Sequence, residues 1–89
     1  MTTSEKIERS RNELDRLTDE FVKLISRRDK LVTQICKEKK RLGLPILDLE
    51  REKEVIERAE KAALREGIDL GLVKELLELI IEHSKRVQR

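Results

Sequence analysis

Tryptophan and tyrosine are absent and Phe21 is the sole aromatic residue, so the chain has no set of rings on which nucleic-acid bases stack. Cysteine is reduced to Cys36, which rules out an intrachain disulfide and a thiolate cluster for zinc; Cys36 reads as a small helix residue. The single histidine, His83, has no second histidine or cysteine at ligand spacing, so no metal is expected. No apolar run approaches the roughly 20 residues that cross a bilayer, and the opening Met1-Thr2-Thr3-Ser4-Glu5 lacks a secretory core. A cytoplasmic protein without membrane contact is the expectation. Charge of one sign is also missing. Lys and Arg total 21 against 19 Asp and Glu, a net of +2, which argues against a general phosphate-binding face and hence against nucleic acid as a partner.

What is present is helix. Three glycines and one proline punctuate 89 residues, few enough for one domain over residues 1–89 and sparse enough for three long segments. Gly43 and Pro45 mark one break and Gly67 a second, while Gly71 falls in the opening turn of the last segment. These breaks predict helix 1 from about Ser4 to Leu42 and helix 2 after Asp48 as its cap, ending before Gly67. Helix 3 should follow Asp69 and run to the C-terminus.

Helix 1 carries a heptad pattern. Ile7, Leu14, Phe21, Arg28, Ile35 and Leu42 occupy one seam position and Ser10, Leu17, Leu24, Leu31 and Glu38 the other, with Ile25 and Val32 widening the seam. At the helical rise, helix 1 would be about 55 Å long and helices 2 and 3 about 27 Å each. The short helices cannot cover the long one, and a compact monomer of this size has a radius of gyration of about 12 Å. The cover must come from a second chain. The expectation is an all-α, intertwined six-helix homodimer with antiparallel long helices about a two-fold axis.

Polar residues interrupt the apolar stripes at positions where burial costs free energy unless a partner compensates it. In helix 1 the interruption is Arg28, with Lys39 about three turns on and nearly on the same face. In helix 2 the stripe Leu49, Glu52, Ile56, Ala59, Ala63 sets Glu52 among apolar neighbours, and in helix 3 the stripe Val73, Leu77, Ile80 continues into Ser84 and Gln88. Antiparallel helices crossing near residue 23 would bring a partner's Arg11 level with Ile35, between Arg28 and Lys39. Taken singly each residue has a plainer reading: Arg28 as a register device, Arg11, Lys39 and Arg51 as a solvated face, Glu52 as half of an ion pair, Ser84 and Gln88 as a fraying end. Taken together they describe a pocket for a small, polyanionic, hydroxyl-bearing ligand, with no activated nucleophile.

From about Glu5 to Gln88 the sequence resembles the all-helical chorismate mutases. Arg11, Arg28 followed by Lys39, the stretch Gly43-Leu44-Pro45-Ile46-Leu47-Asp48-Leu49-Glu50-Arg51-Glu52, and Ile80-Ile81-Glu82-His83-Ser84 with Gln88 carry the likeness. The resemblance implies an isomerase that needs no cofactor, converting chorismate to prephenate on the route to phenylalanine and tyrosine. It implies that Arg28 and a partner's Arg11 hold the two carboxylates, and that Lys39 reaches the enolpyruvyl carboxylate and the ether oxygen, to which Gln88 also donates. Glu52 and the backbone near Asp48 would take the ring hydroxyl, and Ser84 would assist at a carboxylate. Arg51 is a family site residue, although helical geometry points it away from the Glu52 stripe. The chain departs from the family pattern at Thr18, where a second acid is usual, and at Lys85, where relatives tend to be apolar; it also ends one residue after Gln88. An isochorismate-pyruvate lyase on the same scaffold and a helical dimerisation module without chemistry are the competing expectations.

Overall fold

Thr2 and Glu5 open the first helix by satisfying each other's backbone. The Glu5 N–H donates to Thr2 Oγ1 at 3.1 Å and the Thr2 N–H to Glu5 Oε2 at 3.4 Å, a reciprocal capping box that occupies donors a helix start leaves orphaned. In the computed structural model, which describes residues 2–88, helix α1 then runs from Thr3 to Leu42. Gly43 stops it at φ 70°, a left-handed conformation that a side chain would strain. The Leu44 N–H then returns to the Lys39 carbonyl at 2.8 Å and the Gly43 N–H to that of Lys40 at 3.3 Å, satisfying carbonyls at the helix end.

Helix α2, Leu49–Glu66, is bounded by the same chemistry. Asp48 caps its start by accepting from the Arg51 N–H, and Gly67 at φ 68° closes it while the Ile68 N–H reaches the Ala63 carbonyl at 2.9 Å. Helix α3, Leu70–Val87, begins at Asp69, whose carboxylate accepts from the N–H groups of Gly71 and Leu72 at 2.8 and 3.3 Å. The fold is therefore all-α among the described residues, with three helices whose limits match the expected breaks to within a residue or two. No described helix is long and apolar enough to cross a membrane.

The chain divides into two compact units, Met1–Leu31 and Val32–Arg89. The first is helix from Thr3 onward, and along it Ile7, Leu14, Leu17, Phe21 and Leu24 are all exposed. In the second, α2 packs against α3. Their three-residue connection, 67–69, sends α3 back antiparallel, so that Glu52 near the start of α2 meets Lys85 near the end of α3. Ala63 and Ile81 are buried in this unit. Cys36, on the closing turns of α1, is buried as well, with its Sγ 3.6 Å from the Gln88 carbonyl.

One expected stripe position behaves differently. Leu49 is 65% exposed, because it is the first residue of α2 and lies level with the end of α3, beyond most of the apolar length that the two helices share.

Candidate functional site

Six of the eight expected site residues, Lys39, Asp48, Arg51, Glu52, Ser84 and Gln88, lie in the unit Val32–Arg89. Lys39 is half-buried in the last turn of α1, and its Nζ donates to the Ile46 carbonyl at 3.1 Å. An ammonium has three donors, so this bond leaves capacity for an anionic ligand while fixing the direction of the side chain. The connection after α1 is thus held over the lysine by its own backbone.

Asp48 is exposed, and its carboxylate serves as the α2 cap, accepting from the Arg51 N–H at 3.0 Å. Arg51 is exposed too and pairs with Glu54 one turn on at 3.4 Å, turned away from the Glu52 stripe as helical geometry requires. Glu52 is a half-buried carboxylate near the start of α2. Its Oε1 lies 2.8 Å from Lys85 Nζ, and the same ammonium is 3.2 Å from Glu82 Oε1. The hydrogen bond with Glu52, then that with Glu82, raises the Lys85 ammonium above its ordinary value against a smaller desolvation effect.

Ser84 is buried, and its hydroxyl donates to the Ile80 carbonyl one turn back at 2.9 Å. Gln88 is half-buried at the end of α3: its N–H donates to the Ser84 carbonyl at 3.1 Å and its own carbonyl faces Cys36 Sγ. These backbone contacts set the start of the Gln88 side chain without using its amide. Arg11 and Arg28 lie in the other unit, Met1–Leu31, where Arg11 is exposed and Arg28 half-buried. Among the described residues no group of three or more His, Cys, Asp and Glu is placed to hold a metal ion.

Two contacts in this arrangement are not legible in the sequence. Cys36 touches Gln88, and the available signal was its spacing, four residues after Val32 and three before Lys39, all three covered on one strip of α1. Lys85 is the partner that makes Glu52 half of an ion pair, a pairing that spacing alone does not assign.

Comparison with known proteins places these helices. The family described as chorismate mutase type II matches residues 10–89, nearly the whole chain. The chain belongs to that family. A chorismate mutase from Methanocaldococcus jannaschii is 32% identical over 85 residues, which cover 96% of this chain and 86% of the relative. A 4-amino-4-deoxychorismate mutase from Streptomyces venezuelae is 32% identical over 88 residues, covering 99% and 85%. Among solved structures, a conserved hypothetical protein from Pyrococcus furiosus superposes with a TM-score of 0.74 at 36% identity, with both chains covered completely. As a chorismate mutase type II chain, the protein is similar along its full length to enzymes that differ at one ring substituent of their substrates.

Proposed function

We propose that this chain converts chorismate to prephenate within an intertwined homodimer, with Arg11 of each chain reaching the other chain's site. The observation that carries the activity is the family match over residues 10–89, joined by the likeness to a chorismate mutase at nearly full length. The chain is an isomerase of the chorismate mutase type, on the route to phenylalanine and tyrosine.

The reaction is a pericyclic rearrangement in which one carbon–oxygen bond breaks as a carbon–carbon bond forms. No proton shuttle and no covalent intermediate are needed, so the residues act by position and charge. Arg28 and the partner's Arg11 hold the two carboxylates, since a guanidinium fork makes paired charge-assisted hydrogen bonds to each. This keeps the flexible substrate in its reactive folded conformer. Lys39 and Gln88 face the ether oxygen, where negative charge grows as the bond breaks, and stabilise the transition state more than the ground state. Glu52 and the backbone near Asp48 accept from the ring hydroxyl, and Ser84 supports a carboxylate. Arg51 has the weakest claim to a direct role, because its side chain pairs with Glu54. The half-burial of Lys39, Glu52 and Gln88 supports this reading, as does the Lys39 bond that leaves donors for a ligand.

The homodimer is supported by how little the chain covers by itself. Among the described residues only Cys36, Ala63, Ile81 and Ser84 are buried, while Leu14, Leu17, Leu24, Leu31 and Ile35 on α1 are each more than half exposed. A contiguous row of exposed leucines marks an interaction face, and a heptad row on a long helix fits a second copy of itself.

The test is a chorismate-consumption assay on purified protein, with prephenate identified as the product and Arg28→Ala as control. Prephenate formation lost in the control supports the reading. Pyruvate released from isochorismate without prephenate from chorismate, or no turnover of either, overturns it.

A further inference from the structure

The strongest feature that the proposed reaction leaves without a role is Lys85, paired with Glu52 and Glu82 between α2 and α3. Lys85 Nζ lies 2.8 Å from Glu52 Oε1, with the two side chains 33% and 21% exposed, whereas Glu82 on the outer side is 64% exposed. We propose that Lys85 is a specificity-determining residue: by neutralising Glu52 it makes the site select a substrate with a neutral ring hydroxyl over one with an ammonium at the same ring position. The inference rests on the reading of Glu52 as the acceptor for the ring substituent.

A carboxylate has two oxygens and about four lone-pair sites, so Glu52 engaged through Oε1 keeps Oε2 as an acceptor. A hydroxyl needs only that lone pair, and the neighbouring ammonium costs it little. An amine of ordinary basicity is an ammonium at neutral pH, and its binding depends on net negative charge at the acceptor. Lys85 offsets the Glu52 charge where the ring substituent would bind and adds a positive charge beside it, the kind of unfavourable element by which a site rejects a near-identical ligand. Glu82 shares the same ammonium at 3.2 Å, but its side chain is 64% exposed, so solvent screens its charge more than that of Glu52. Held by both carboxylates, Lys85 stays charged through the neutral range.

The experiment measures kcat/KM for chorismate and for 4-amino-4-deoxychorismate with the wild-type protein, Lys85→Met, Lys85→Gln and Lys85→Arg. Each ratio is taken on one protein preparation, so the folded fraction cancels and loss of stability alone does not move it; Lys85→Gln serves if Lys85→Met fails to fold. The wild type should prefer the hydroxyl compound, and removing the charge should shift the ratio toward the amino compound by about tenfold, a like-charge penalty discounted for partial exposure. Lys85→Arg keeps the charge and should hold the ratio to within about threefold of wild type. An unchanged ratio in both neutral variants, with chorismate still turned over, overturns the role of Lys85 and leaves the mutase reading intact. Failure of the wild type to convert chorismate overturns the mutase reading and the proposal with it.

Discussion

Lys39 Nζ donates to the Ile46 carbonyl at 3.1 Å, so the last turn of α1 is bonded to the connection that leads into α2. The ammonium therefore has a structural bond and, in the proposed reaction, a catalytic one, and the two separate by magnitude. Lys39→Ala should lower kcat on the order of a hundredfold to a thousandfold, as removal of a donor to developing charge does. The lost bond to Ile46 should cost only about 1 kcal/mol of stability, since the group is half exposed. Steady-state kinetics beside chemical denaturation decide it: turnover close to wild type removes Lys39 from the mechanism.

Gln88 and Cys36 divide in a similar way, because Cys36 meets the backbone carbonyl of Gln88 and not its amide. Gln88→Ala should keep that contact and the melting temperature while reducing kcat by about tenfold or more, with KM changed less, the pattern of a group that acts mainly in the transition state. Cys36→Ala empties part of a buried position and should cost about 1 kcal/mol. If Gln88→Ala left kcat untouched, the amide would have no place at the ether oxygen.

The helices were legible because their ends are written in local chemistry. Asp48, Gly67 and Asp69 each satisfy backbone groups within a few residues, which no distant partner needs to complete. The contacts across helices were not legible. Spacing tells which residues share a face but not how one helix is rotated against another, so the sequence sets Val32 on the seam and Lys39 near the Arg28 face without revealing that Cys36 between them meets the Gln88 carbonyl. In sequence Lys85 is marked only as a charge close to the pocket where relatives tend to be apolar. Its pairing with Glu52 depends on the antiparallel return of α3, which a three-residue connection permits but does not align.

Asp48 caps α2, and its side chain is thereby occupied. Asp48→Asn keeps an acceptor for the Arg51 N–H and should leave both stability and turnover near wild type. Asp48→Ala should destabilise by about 1 kcal/mol, the usual cost of losing a cap. Thermal denaturation of the pair measures this. A large loss of activity in Asp48→Asn at unchanged stability would show instead that the carboxylate charge serves the site.

The raised Lys85 ammonium, with Glu52 as the first cause and Glu82 as the second, fixes the sign of a pH effect. A cation with its folded value above the ordinary 10.5 contributes its full stabilisation below that pH and loses it as the pH rises through the folded value. Nothing from this pair should change between pH 6 and 9, which lies about one unit or more below the window. Titration of the Lys85 side chain by NMR should give a midpoint above 10.5, and Glu52→Gln should lower it toward that value. A midpoint unmoved by Glu52→Gln would mean that the pair does not persist in solution.

Leu24 and Leu31 lie one heptad apart on α1, exposed at 56% and 59%. If a second chain covers them, a charge at Leu24 must be desolvated or the interface given up. Leu24→Glu should therefore weaken association on the order of a hundredfold or more, because an unpaired buried carboxylate costs several kcal/mol. Sedimentation should find the wild type dimeric at micromolar concentration and the variant shifted to monomer. Activity should fall with it, since each proposed site takes Arg11 from the other chain, and the loss should be partly reversed by raising protein concentration. A surface position of similar helix propensity, Lys23→Glu, should do neither. A wild-type protein that sediments as a single chain in dilute solution, yet turns over chorismate, would remove the partner's Arg11 from the site.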